Sequence, residues 1–67
     1  MLKIEFEREE DGRWIAEIPD LPGVLAYGTS EADARVKAIV LALRVLADRI
    51  ENGEALPAEA RSLFYAA

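Results

Sequence analysis

The chain opens on strict alternation. Leu2, Ile4 and Phe6 are apolar, and Lys3, Glu5 and Glu7 between them are charged. A period of two over six residues predicts a strand with one dry face and one wet face. The polar run Glu9-Glu10-Asp11-Gly12 follows, and its Asp-Gly dipeptide is a hairpin signal. Trp14, Ala16 and Ile18 then alternate with Ile15 and Glu17, predicting a second strand antiparallel to the first. Pro19-Asp20-Leu21-Pro22-Gly23 stops it, because each proline removes a backbone donor and fixes φ while Gly23 tolerates positive φ. Val24 to Tyr27 reads as a third short strand, closed by Gly28.

At Ser30 the period changes. Ser30-Glu31-Ala32-Asp33 has the form of a capping box, and Asn52-Gly53 is a strong stop signal, so a helix is predicted from Ser30 to about Asn52. Val36, Ile39, Val40, Leu43, Leu46, Ala47 and Ile50 recur at helical spacing and are predicted to lie on the sheet. Leu41 and Val45 leave the helix on roughly the opposite side, with Ala38 and Ala42 near them and Lys37, Arg44, Asp48 and Arg49 at the edge. One sheet covers one side of a helix, so Ala38, Leu41, Ala42 and Val45 are the predicted oligomer interface. Glu54 to Arg61 reads as a connector and Leu63-Phe64-Tyr65 as a final short strand. The sum is a single domain over residues 1–67. Its class is α+β, in the order β-β-β-α-β, with a small antiparallel sheet covered by one helix in two layers.

Composition adds constraints. A 67-residue chain buries a modest core and needs a further source of stability. With no cysteine there is no disulfide, and with no cysteine or histidine a thiol- or imidazole-bound metal is excluded. No cofactor is expected. A homodimer or higher homo-oligomer, or a bound partner, is left as the stabiliser. The net charge of −5 opposes contact with phosphate backbones and suits a basic partner. The charged, alternating N-terminus has no signal-peptide pattern. The longest apolar run, Ala38 to Leu43, is far too short to cross a bilayer. A cytoplasmic protein without membrane contact is expected.

Little in the chain offers chemistry. Thr29, Ser30 and Ser62 are the hydroxyl nucleophile candidates, no histidine exists to act as their base, and Ser30 is explained as a helix cap. Gly23 and Gly28 have a phosphate-loop spacing but lack the Lys-Ser/Thr that follows in such loops. Trp14 stands without a basic groove and reads as a core residue rather than a base-stacking platform. Glu5, Glu7 and Glu17 would share the outer face of the hairpin, where they could hold Mg²⁺ or simply form a solvated strand face. No enzymatic role is expected.

The segment Asp11-Gly12-x-Trp14-x-Ala16-x-Ile18-Pro19-Asp20-Leu21-Pro22-Gly23, followed by Gly28-x-Ser30-x-x-Asp33-Ala34, resembles the N-terminal domain of the HicB antitoxin family. Asn52-Gly53-Glu54 and Leu56-Pro57 resemble the family's segment after its helix, and Ala32 stands where the family has an acid. The resemblance covers nearly the whole chain and is most specific at the Pro-Asp-Leu-Pro-Gly element. It implies a reduced ribonuclease H-like core without the catalytic carboxylates. It also implies a binding role: HicB antitoxins block small basic HicA toxins that cleave mRNA. Many members carry a C-terminal DNA-binding domain, and this chain resembles the short form without one, so no direct nucleic-acid contact is expected. The acidic hairpin residues Glu5, Glu7, Glu9, Glu10, Asp11 and Glu17 are the expected surface for a basic toxin. The alternative is a stand-alone homo-oligomeric domain without a toxin.

Overall fold

A computed structural model describes residues 2–55, 58–64 and 66. Three strands, β1 (Glu5–Arg8), β2 (Trp14–Glu17) and β3 (Leu25–Gly28), precede the long helix α1 (Glu31–Glu51) and a single turn of helix, α2 (Ala58–Arg61). The strands form one antiparallel sheet in the order β1-β2-β3, and α1 packs across it, so the fold is α+β in two layers.

Register sorts the side chains into two faces. Phe6, Ala16 and Ala26 stand side by side in one row, and Trp14 beside Gly28 continues it on the helix side. Glu5, Glu17 and Leu25 form a row on the other face, with Glu7, Ile15 and Tyr27 next to it. The expected inner face of β2 is observed: Ala16 and Ile18 are buried and Trp14 packs against the core. Leu2 and Ile4 also pack there, although ladder pairing starts only at Glu5.

The Pro19–Gly23 turn both joins two strands and fills the core. Ile18 N–H donates to Val24 O at 3.0 Å and Val24 N–H to Leu21 O at 3.0 Å, which clamps the loop ends together. Leu21 is tucked inside, and Ile18 and Val24 are the largest fully buried side chains among the described residues. Gly23 turns the chain at φ 86°, a conformation that costs an L side chain about 1–2 kcal/mol.

Helix α1 begins and ends as its sequence predicts. Ser30 Oγ accepts from Asp33 N–H at 3.0 Å, satisfying one of the orphan amides of the first turn. The reciprocal bond reaches one residue further back than in the standard box: the Asp33 carboxylate accepts from Thr29 N–H at 2.9 Å. At the other end, Gly53 has φ 86°, Glu54 N–H returns to Arg49 O at 3.0 Å and Gly53 N–H to Ile50 O at 3.1 Å. These are the two bonds of a Schellman closure.

Two expectations are corrected. The first is the final strand. Ser62, Leu63 and Phe64 form a turn and an irregular segment, not a strand, while Tyr65 lies outside the described residues. The expected connector instead contains α2, whose Ala-Glu-Ala-Arg sequence favours helix and whose Ala60 is buried. Leu56 and Pro57 lie outside the described residues as well.

The second correction reverses the faces of α1. Ala34, Ala38, Ala42 and Leu46 are its buried residues, and Leu41 and Val45 pack beside them on the core. Of the residues expected on the sheet, Leu46 is buried as expected, whereas Val36, Ile39, Val40, Leu43, Ala47 and Ile50 are exposed. The physical reason is the approach distance. Gly28 lies directly under the first turn of α1, with the place its Cβ would take only 2.7 Å from Ala34 Cα and 2.9 Å from Asp33 C. A helix seated that close to β3 must present small side chains to it, and alanines four residues apart provide that seam.

Candidate functional site

The expected partner surface can be built from β1 and β2. Because side chains alternate along a strand, Glu5, Glu7 and Glu17 all leave the sheet on the face opposite α1. Glu5 and Glu17 are direct cross-strand neighbours, an arrangement that costs stability when both are ionised. Lys3 Nζ stands 3.4 Å from Glu5 and offsets part of this repulsion. A shallow depression lies among Glu5, Glu7, Ile15 and Glu17.

The other acidic residues are placed differently. Glu9, Glu10 and Asp11 lie at the tip of the β1–β2 hairpin, so the six expected residues divide into a face group and a tip group. The tip is closed by Glu9 N–H donating to Arg13 O at 2.7 Å and Gly12 N–H to Glu9 O at 3.0 Å. Asp11 is engaged inside the turn, accepting from Arg13 N–H at 3.0 Å and from Arg13 Nε at 2.7 Å. The Arg13 backbone N–H, and then its side chain, hold the Asp11 carboxyl below the usual carboxylate range. Asp11 therefore shapes the hairpin, and its charge is matched by the Arg13 guanidinium within the turn.

Sequence reasoning missed the apolar half of the same sheet face. Leu25 is 40% exposed and Tyr27 is 42% exposed, and Ile15 lies in the row with Tyr27. The Arg13 guanidinium covers the Tyr27 ring at 4.6 Å. The open face thus passes from carboxylates on β1 and the end of β2 to aliphatic and aromatic groups on β3. The available signal was parity: Ile15 has the same strand phase as Glu17, so it had to leave the sheet on the acidic side.

The expected oligomer residues do not form a surface. Ala38 and Ala42 are buried, and Leu41 and Val45 pack on the core beside them. No partner can reach the two alanines without taking α1 off the sheet. The candidate nucleophiles are in local structure: Ser30 and Thr29 serve the helix start and Ser62 follows α2 in a turn. Asp33, bonded to Thr29 N–H and 3.1 Å from Lys37 Nζ, has its pKa lowered first by the Thr29 amide and then by Lys37. Among the described residues, no group of three or more His, Cys, Asp or Glu is arranged to hold a metal ion, so Glu5, Glu7 and Glu17 do not form a metal site there. No helix among the described residues is long and apolar enough to cross a membrane.

Comparison of the chain with protein-family models, curated proteins and solved structures finds no match.

Proposed function

We propose that this domain is a protein-binding module of the HicB-like antitoxin type, which neutralises a small basic HicA-type ribonuclease by complex formation. The observation that carries the reading is the open sheet face, with Glu5, Glu7 and Glu17 set beside Leu25 and Tyr27. A surface of this kind suits a partner whose Lys and Arg residues surround an apolar contact, because charge steers the encounter and apolar burial holds it. The sequence resemblance supplies the partner class, and the net charge of −5 agrees with it. In this reading the domain breaks no bonds itself, works in the cytoplasm and has a reduced ribonuclease H-like core. The Pro19–Gly23 element, its most family-like segment, serves as a structural clamp and not as the contact.

Mixing the purified chain with the basic toxin encoded beside it tests the proposal. Binding should fall steeply with salt and abolish RNA cleavage. Glu5→Lys with Glu17→Lys should weaken binding by about 10-fold or more while leaving the fold intact. A neighbouring toxin that is neither bound nor inhibited would overturn the reading.

A second reading, a stand-alone homo-oligomeric domain, is favoured by a different observation, the exposed aliphatic face of α1.

A further inference from the structure

The domain is short of buried aliphatic groups. Of the nine buried hydrophobic residues among those described, five are alanine, and the larger ones are Ile18, Leu21, Val24 and Leu46. Nine large hydrophobics among the described residues are instead exposed, and five of them lie on α1. The helix is also longer than the layer it covers. Twenty-one residues span about 31 Å, whereas a four-residue strand spans about 13 Å. Its aliphatic outer face therefore continues well past the sheet.

We infer that the outer face of α1 is the contact between two copies of this chain, packed antiparallel about a twofold axis close to Leu43. Val36, Leu43 and Ile50 recur every seven residues, with Ile39 and Val40 filling between them, which is the spacing of a two-helix seam. They are 59%, 53% and 41% exposed, too large a run to be scattered surface residues. Ile39 and Leu43 also line an apolar cavity of about 330 Å³ together with Leu2, Ile4, Ile18 and Leu63, so the seam borders the cavity.

Area and charge commit the site to a second copy. The five α1 side chains present about 400 Å² per copy, and Leu63, which lines the same cavity as Ile39 and Leu43, about 100 Å² more. A symmetric pair that covered all of this surface would bury about 1,000 Å², the size of a weak, concentration-dependent specific interface. Lys37, Arg44, Asp48 and Glu51 follow one another at spacings of seven, four and three, and so share one flank of the seam. Lys37 is at the N-terminal end of that flank and the two acids are at its C-terminal end, with Arg44 near the axis. Antiparallel packing sets Lys37 of each copy against Asp48 and Glu51 of the other. A parallel pair would place like ends together and forgo this match. The contact lies on the opposite layer from the acidic sheet face and does not depend on the antitoxin reading.

Sedimentation equilibrium from about 5 to 500 μM tests it. The wild-type chain should reach twice its 7.4 kDa mass at the upper concentrations. Val36→Glu and Leu43→Glu should each weaken association by at least 100-fold with helical circular dichroism retained. Leu25→Glu, on the sheet face, should leave it unchanged. Lys37→Glu should weaken it, and adding Asp48→Lys and Glu51→Lys to the same chain should restore it. Because the natural chain has no cysteine, Leu43→Cys should form a disulfide-linked dimer on mild oxidation and Leu25→Cys should not. A wild-type mass of 7.4 kDa at 500 μM would overturn the inference. So would a dimer broken by Leu25→Glu and not by Val36→Glu, or cross-linking through Leu25→Cys alone. Toxin binding that fails while the dimer persists would count against the proposed function and leave this contact standing.

Discussion

Replacing Gly28 by alanine adds one methyl group at the closest approach of sheet and helix. The new Cβ would lie 2.7 Å from Ala34 Cα and 2.9 Å from Asp33 C, where carbon atoms normally stay about 3.5–4.0 Å apart. Ala34 N is closer still, and all three obstructing atoms are backbone, so no side-chain rotation relieves the clash. The first turn of α1 must lift by about 1 Å, and a gap of that size forfeits a quarter to a half of the contact energy along the seam. Overpacking of this kind costs about 1–3 kcal/mol, and the upper figure applies where backbone must move. The whole domain, at about 0.05–0.15 kcal/mol per residue, has about 3–10 kcal/mol to lose. Urea unfolding followed by circular dichroism should show the midpoint falling by about 2–3 M, since a domain this small has an m-value near 1 kcal/mol/M. Gly23→Ala is the matched control: nothing lies within 4 Å of its would-be Cβ, and it faces only the strain of φ 86°, about 1–2 kcal/mol. If Gly28→Ala is no more destabilising than Gly23→Ala, the close approach of α1 to β3 is not what holds the two layers together.

Three other outcomes follow from the same geometry. Ala38→Leu should destabilise by about 1–3 kcal/mol because the seam has no room for it, whereas Val36→Ala, at a 59% exposed site, should change monomer stability by less than about 0.5 kcal/mol; paired urea curves at low concentration would detect a reversal. Ser30→Ala removes the acceptor for Asp33 N–H and should cost about 1 kcal/mol, with hydrogen exchange accelerated in the first turn of α1 before the rest of the helix. The pKa values of Asp11 and Asp33 are lowered in the fold from 3.8, so the stability that they contribute is complete above that pH and is lost as pH falls through their folded values. Urea midpoints should thus hold steady from neutral pH to about 5 and decline below 4, and Asp33→Asn should make the acid decline shallower.

The parts of the fold governed by local rules were readable in the chain. The Asp-Gly hairpin, the Ser30 cap and the Asn52-Gly53 stop depend on residues within five positions of one another, and each is found at its predicted place. Strand parity was also readable, which is why Trp14, Ala16 and Ile18 were placed inward correctly. The orientation of α1 was not. Its sequence carries two apolar stripes, and hydrophobicity alone favours the one with more valine, leucine and isoleucine. Which stripe meets the sheet depends on how near the helix lies, and that is set by Gly28, a residue on another element. Reading Gly28 together with Ala34, Ala38 and Ala42 would have revealed the seam. The last strand failed for a related reason: Leu63 and Phe64 have strand-like side chains, but Ala58 to Arg61 takes up the preceding chain as helix. The acidic hairpin was identified as a set of residues, yet its division into face and tip, and the engagement of Asp11 by Arg13, required the turn geometry.

The two-layer architecture bears on how the proposed surfaces would work together. The molecule measures 44 × 25 × 15 Å, a thin slab with the carboxylate face on the sheet side and the aliphatic seam on the helix side. Its radius of gyration of 13.3 Å exceeds the value near 11 Å of a compact chain this long, so an unusual share of its surface is available for contacts. A pair joined through α1 would turn both sheet faces outward, away from each other, and leave each free for one basic partner. Joining them would bury the aliphatic groups that the alanine seam excludes from the core, so self-association would stabilise the same helix that supports the sheet. Weakening the seam by Val36→Glu should therefore lower both the mass in solution and the concentration dependence of the unfolding midpoint, while the intrinsic affinity of one sheet face for one basic partner stays unchanged. A sheet-face affinity that falls together with the dimer would mean that the two surfaces are one site shared between copies, and the separation of roles between the layers would have to be abandoned.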